Sequence, residues 1–310
     1  MAKPTRTQVH IDRAMTRVSI ARRNESYIAG EVFPTVPVQN QSDKYFVFDR
    51  ASWFRNEAGP RAPGTRGPEV EYSISSSTYA CRPVSATKTV PDEIVANADV
   101  PLQPMRDATD FVTDKVMLYV EVDVASEIFG GANWSASGAN SGTSGSLQWN
   151  LAASEPLEQV EVMRETIIKG IGRQPNVLLM GREVYTDLRN HPDILDRIKY
   201  TSPGVVTPDI LKSLFQVGKL LIGDAIYTTA ADGASATYSY IWGKNVWLGW
   251  VPAAAGLMIP APGYVLSWKT RTIERFRREE EKTFAFRCEM NYDCIVTCPD
   301  AGFELKTAVA

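Results

Sequence analysis

The longest patterned stretch is Ala108–Phe129 (ATDFVTDKVMLYVEVDVASEIF), which holds neither proline nor glycine and repeats its apolar residues at helical spacing. Val112, Val116, Tyr119 and Val120 form one apolar stripe, and Phe111, Leu118, Val122 and Phe129 form a second. Asp107, Asp110, Asp114 and Glu121 make an acidic row beside the second stripe. The pattern predicts a spine helix of roughly 33 Å, buried on two sides and ended by Gly130-Gly131.

Upstream, strand-like runs at Lys44–Asp49 and Glu69–Ser75 flank a tip, Arg55–Pro68, with three glycines and three prolines. This predicts a long two-stranded ribbon, a form that is marginal in water without a partner surface. Its tip carries Arg55, Arg61 and Arg66 against Glu57 alone. Residues 1–43, with six basic side chains before Asn24 and prolines at 4, 34 and 37, read as an arm lying along something else; Ile28–Val38 within it has the character of an edge strand.

Downstream, the uncharged Gly/Ser/Asn-rich run Ala132–Ser146 marks a change of domain. Ser154 reads as an N-cap, and Leu157, Val160, Met163, Ile167 and Ile171 repeat at helical spacing after it. Asn176–Gly181 is a buried strand, helices follow from Arg182 and Thr207, and Lys219–Thr229 is again strand, an α/β layer pattern. The chain then turns to strands, and Thr272–Ala308 is expected to return to the spine helix.

A chain of 310 residues with 44% hydrophobic content can bury one large core or two modest ones. The net charge of −3 gives no global field toward nucleic acid. No apolar run approaches a membrane span, and MAKPTRTQVH lacks the hydrophobic segment of a signal peptide. The four cysteines, Cys81, Cys288, Cys294 and Cys298, read as buried small hydrophobes. With only His10 and His191, and no phosphate-loop, dinucleotide, nucleophile-elbow or zinc-protease motif, no catalytic residue, cofactor or metal ligand is assigned.

The order of parts resembles the HK97-fold major capsid proteins of tailed bacteriophages. The resemblance runs from about residue 27 to 307 and rests on Arg182–Tyr200 (REVYTDLRNHPDILDRIKY), Thr207–Thr229, Trp242–Pro252 (WGKNVWLGWVP) and Tyr292–Val309. It implies an α+β fold with an N-terminal arm (1–43), an extended β-hairpin loop (44–90), a peripheral domain (91–149 and 263–310) and an axial domain (150–262). It further implies a structural, non-enzymatic protein whose partners are its own copies, as pentamers and hexamers of an icosahedral head shell around double-stranded DNA. The shell would be assembled in the host cytoplasm, with room for a portal, a decoration protein and a separate scaffold, the family's N-terminal scaffolding segment being absent. An encapsulin-like cellular cage is the alternative. At residue level, the loop-tip Arg55, Arg61 and Arg66 are expected near Asp107, Asp110 and Asp114 of the adjacent subunit's spine helix.

Overall fold

The computed structural model describes residues 24, 27–98, 103–139, 147–198, 206–231, 235, 237–256 and 259–310. A short helix α1 (Ala29–Val32) leads through β1 (Thr35–Val38), β2 (Ser42–Phe48), α2 (Arg50–Phe54), β3 (Ile74–Ala80), β4 (Arg82–Pro91) and α3 (Asp92–Ala96) to the long α4 (Pro104–Phe129). Then come β5 (Ala136–Ala139), α5 (Pro156–Ile171), β6 (Val177–Gly181), α6 (Arg182–Arg189), α7 (Pro192–Ile198), α8 (Pro208–Leu214), β7 (Lys219–Gly223), β8 (Ile226–Thr228), β9 (Tyr238–Tyr240), β10 (Val246–Gly249) and β11 (Gly263–Trp268). Strands β12 (Thr272–Arg278), β13 (Thr283–Val296) and β14 (Gly302–Lys306) follow.

Helix α4 is the expected spine, four residues longer at its start. Pro104 occupies the first turn, where its missing N–H costs nothing, and the Gly130 amide closes the end on the Ser126 carbonyl at 2.6 Å. Its buried stripe is Ala108, Val112, Val116, Val120, Val124, Ala125 and Ile128. The N-terminal half packs on the first sheet, with Ala108 against Val90 and Phe286 and with Val112 and Val116 against Cys288. The C-terminal half packs on the second sheet, around Leu179, Leu221, Trp242 and Trp247. One helix thus ties both sheets together. At about 1.5–3 kcal/mol for each buried aliphatic side chain, this stripe is a major part of the core.

The first sheet runs β1–β11–β13–β12, with β4 also paired to β13. Strand β1, which contains Pro37, is the edge strand expected there. The second sheet runs β5–β14–β10–β6–β7. Leu178, Met180, Val246 and Leu248 turn one of its faces to Val160, Met163 and Ile167 of α5, while Leu179 and Trp247 turn the other to α4. A strand covered on both faces reads as a continuous apolar run, which is why VLLMG is buried throughout. Of the returning segment, β13 packs on the spine helix, whereas β14 pairs with β10 and β5 in the second sheet.

Four expectations need correction. The ribbon pairs β2 with β3 from Ser42–Ala80 to Phe48–Ile74, so its second strand begins at Ile74 and not at Glu69. The ladder stops because Asp49 turns the chain, accepting the Ser52 amide at 3.0 Å and the Ala51 amide at 3.3 Å to cap α2. The second stripe of the spine is covered only at its end: Phe129 packs edge-on against Trp242, Leu118 and Val122 are half-buried and Phe111 is exposed, and Tyr119 leaves the first stripe for solvent. The acidic row is broken, since Glu121 is buried. Ser154 does not cap α5; its hydroxyl donates to the Leu151 carbonyl at 2.8 Å and lies 3.0 Å from His191 Nε2.

The arm also behaves differently from its sequence pattern. Ile28, Ala29, Val32 and Phe33 are buried against the chain's own spine helix and sheets, and the extended strand expected from Ile28 begins only at Thr35. The basic residues Lys3, Arg6, Arg13, Arg17, Arg22 and Arg23, together with His10 and residues 140–146 of the Gly/Ser-rich run, lie outside the described residues, whereas Ala136–Ala139 of that run, expected as loop, form β5 by pairing with β14.

Candidate functional site

Among the described residues, no group of three or more His, Cys, Asp or Glu is placed to hold a metal, and no helix is long and apolar enough to cross a membrane. The features left to carry function are the ribbon and the spine helix.

The ribbon is anchored where its ladder ends, on α2. Arg50 Nη2 donates to the Lys169 carbonyl at 2.7 Å, in the last turn of α5, and Nη1 lies 3.4 Å from Asp300 Oδ2. The Phe54 ring lies against Gly172, which caps that helix in a left-handed conformation (φ +68°). Beyond α2, residues 55–73 form no helix or strand and are almost wholly exposed.

The three tip arginines are engaged locally. Arg55 pairs with Glu57 at 2.9 Å, Arg66 with Glu69 at 3.2 Å, and Arg61 donates to the Thr65 carbonyl at 2.7 Å. None of them meets Asp107, Asp110 or Asp114 within the subunit. Asp107 and Asp110 are exposed on the spine and, among the described residues, have no ion pair. Asp114 is only partly exposed, and its Oδ1 accepts the Tyr27 hydroxyl at 2.8 Å. Burial, followed by this hydrogen bond, pushes the Tyr27 hydroxyl pKa up to about 12.

Sequence reasoning missed the residues that fix the N-terminal segment to the spine. Glu121 is 1% exposed, and its carboxylate accepts the Ile28 amide at 3.0 Å, the Ala29 amide at 2.9 Å and the Trp242 indole at 2.7 Å. Burial raises its pKa, while the three donors oppose that rise. Asn24 clamps the backbone of Ile226 through both amide atoms, each at 3.0 Å. A signal for Glu121 was present: it shares a helix face with Ala125 and Ile128, four and seven residues on.

The nearest approach to a catalytic pair is Ser154 with His191. The Asp193 amide donates to His191 Nδ1 at 3.2 Å, which places the ring proton on Nε2, 3.0 Å from the Leu151 carbonyl. The Ser154 hydroxyl also donates to that carbonyl. The imidazole therefore has no lone pair free to activate the serine, and it acts as the cap of α7.

No family model matches the chain. It is 27% identical to the major capsid protein of Burkholderia phage BcepMu over 301 residues, 94% of this chain and 95% of that protein. Against the major capsid protein of Pseudomonas phage JBD67 it is 30% identical over 237 residues, 76% and 75% of the two chains. A solved phage-related protein from Bordetella bronchiseptica RB50 matches with a TM-score of 0.71 at 23% identity, over 93% of this chain and 94% of that one. Solved capsid structures of other phages share the fold as well.

Proposed function

Because the chain belongs to the phage major capsid proteins with the HK97-like fold, and so forms a capsid shell, we propose that it assembles as pentamers and hexamers into an icosahedral head around double-stranded DNA. An encapsulin-like cage is less favoured, since both curated relatives are phage proteins.

The observation that carries the assembly reading is the ribbon, fixed at the far end of its ladder by Arg50 and Phe54 and left without support along its tip. Such a form becomes stable when a neighbour covers it. In our reading residues 1–43 are the arm, 44–90 the extended loop, 91–149 with 263–310 the peripheral domain and 150–262 the axial domain. The tip of one loop docks over the adjacent spine helix, bringing Arg55, Arg61 and Arg66 toward Asp107, Asp110 and Asp114. Each exposed pair contributes only about 0–1 kcal/mol, and Arg55 and Arg66 must share their charge with Glu57 and Glu69. Contacts this weak allow misplaced subunits to leave before the shell closes.

The protein works as structure, without catalysis: the Ser154–His191 contact is a helix cap by its hydrogen-bond directions. Assembly belongs in the host cytoplasm, with a portal, a decoration protein and a separate scaffold as further partners. DNA is met without base readout, through arm lysine and arginine. Negative-stain electron microscopy of the purified protein, with the 260/280 nm absorbance ratio on the same fraction, tests the whole. Closed polyhedral particles containing nucleic acid are expected, and a monomer under all salt and concentration conditions would overturn the proposal.

A further inference from the structure

We infer that an aromatic ridge on the ribbon, centred on Trp53 and Tyr72, seats on the uncovered Phe111–Lys115–Tyr119 stripe of the spine helix in a second copy of the chain. This rests on the loop-over-spine reading above and assigns its adhesive residues.

The ridge is built from three rings. Tyr72 lies 6.0 Å from Trp53 and 6.3 Å from Phe48, centroid to centroid. Trp53 and Tyr72 are each 56% exposed, and Val70 and Ile74 on the same length of ribbon are exposed as well. The cluster is preformed because α2, which carries Trp53, is capped by Asp49 and tied down through Arg50 and Phe54. Rigid, exposed aromatic groups are the side chains that dominate binding energy when a partner covers them.

The receiving stripe follows from helix geometry. Phe111, Lys115 and Tyr119 stand four residues apart on one face, with Leu118 and Val122 beside them. Phe111 is 48% and Tyr119 54% exposed, about 12 Å apart along the axis. An apolar stripe on the central helix that the subunit itself leaves open needs another surface to cover it. Charge supports the match. The Lys88 and Lys115 ammonium groups lie 4.6 and 5.3 Å from the Phe111 ring centre, and neither has a carboxylate partner among the described residues. Glu71, next to Tyr72, is exposed and likewise unpaired among the described residues.

A second copy is the occupant because the chain forms a capsid shell of its own kind, and ridge and stripe are different surfaces of one subunit. Joining them is a head-to-tail contact, the kind that closes into rings. The arginines then set register, while the rings supply adhesion.

The test compares wild type with Trp53→Ser/Tyr72→Ser, Phe111→Ser/Tyr119→Ser and Arg61→Glu/Arg66→Glu by sedimentation and electron microscopy of the full chain. Each apolar double variant is expected to keep its circular dichroism and lower particle yield at least about tenfold, against roughly two- to threefold for charge reversal. Oxidising shells of a Tyr72→Cys/Tyr119→Cys variant should link neighbouring copies, with no ladder from either single variant. Normal yield from either apolar variant, or cysteine-pair shells that do not cross-link, overturns the inference while leaving the capsid proposal standing. Failure of wild type to form any particle would instead fell the proposal on which it rests.

Discussion

Glu121 and Trp242 stand 121 residues apart in the chain, yet the indole N–H donates to the carboxylate at 2.7 Å. The same carboxylate receives two backbone amides of the N-terminal segment, so spine helix, N-terminal segment and the turn before β10 meet at one buried group. Lys219 pairs with Glu31 at 3.3 Å on the outer side of α1. Among the described residues no cation is hydrogen-bonded to Glu121, whose carboxyl group is met by these three N–H donors.

Replacing Glu121 by alanine leaves three donors unsatisfied in the interior. A single orphaned group costs about 1–3 kcal/mol, so the loss is expected at about 3 kcal/mol or more in urea unfolding of the unassembled protein. Amide exchange at Ile28–Phe33 should accelerate before the rest of the molecule. The pH dependence has a definite sign. Burial raises the Glu121 pKa in the folded state, so its contribution is full below the ordinary carboxylate range, about 4.3, and is lost as pH rises through the folded value. The advantage of wild type over Glu121→Gln, which cannot titrate, should therefore be largest in acid and shrink toward neutrality. An advantage that grows with pH would disprove this.

Arg50 predicts a separation of local from global effects. Its side chain is about half exposed, so the Asp300 pair is worth about 0–1 kcal/mol. Arg50→Ala should leave the melting temperature nearly unchanged while amide exchange at Ala51–Phe54 speeds up roughly tenfold. Unchanged exchange there would mean that Phe54 alone fixes α2 at the end of the ribbon's ladder.

The spine helix and β6 were legible because their cause is local: a long run without breakers, and a run apolar at every position. The ribbon's second strand was misplaced for the opposite reason. Val70, Tyr72 and Ile74 alternate in the same way whether their face is covered by this chain or left for another, and only Asp49, across the ladder, ends the pairing at Ile74. Glu121 looked like one more member of a solvated row, since its partners Ile28, Ala29 and Trp242 are distant in sequence. The tip arginines were legible as a charged cluster, but their local partners Glu57 and Glu69 were not, because a short irregular loop carries no period from which to read its turns. The placement of β14 beside β5 and β10 is a matter of topology that no single segment encodes.

His191 offers a test of the non-catalytic reading. With Nδ1 accepting the Asp193 amide, nitrogen chemical shifts should report the proton on Nε2 at neutral pH. Ser154 should stay unreactive toward fluorophosphonates. Loss of the cap and of a buried hydrogen-bonded ring should make His191→Ala cost about 2–3 kcal/mol. A reactive Ser154 would reopen hydrolytic chemistry.

Two glycines predict opposite outcomes for one substitution. At Gly181 an added methyl would lie 1.7 Å from the Gly243 carbonyl oxygen and 2.8 Å from its carbon, and both belong to backbone. Gly243 sits at φ +56°, in the turn that carries Trp242 to the Glu121 carboxylate, so backing away would strain that turn as well. Gly181→Ala is expected to cost about 3 kcal/mol and to lower the fluorescence contrast of Trp242 between folded and unfolded protein. At Gly30 no atom lies within 4 Å of the added methyl. The residue sits in α1, where alanine restricts the unfolded chain and adds about 0.4–1 kcal/mol. Urea unfolding of both variants should move the midpoint in opposite directions; a destabilised Gly30→Ala would mean that α1 is held by more than the Glu121 carboxylate and its buried apolar face.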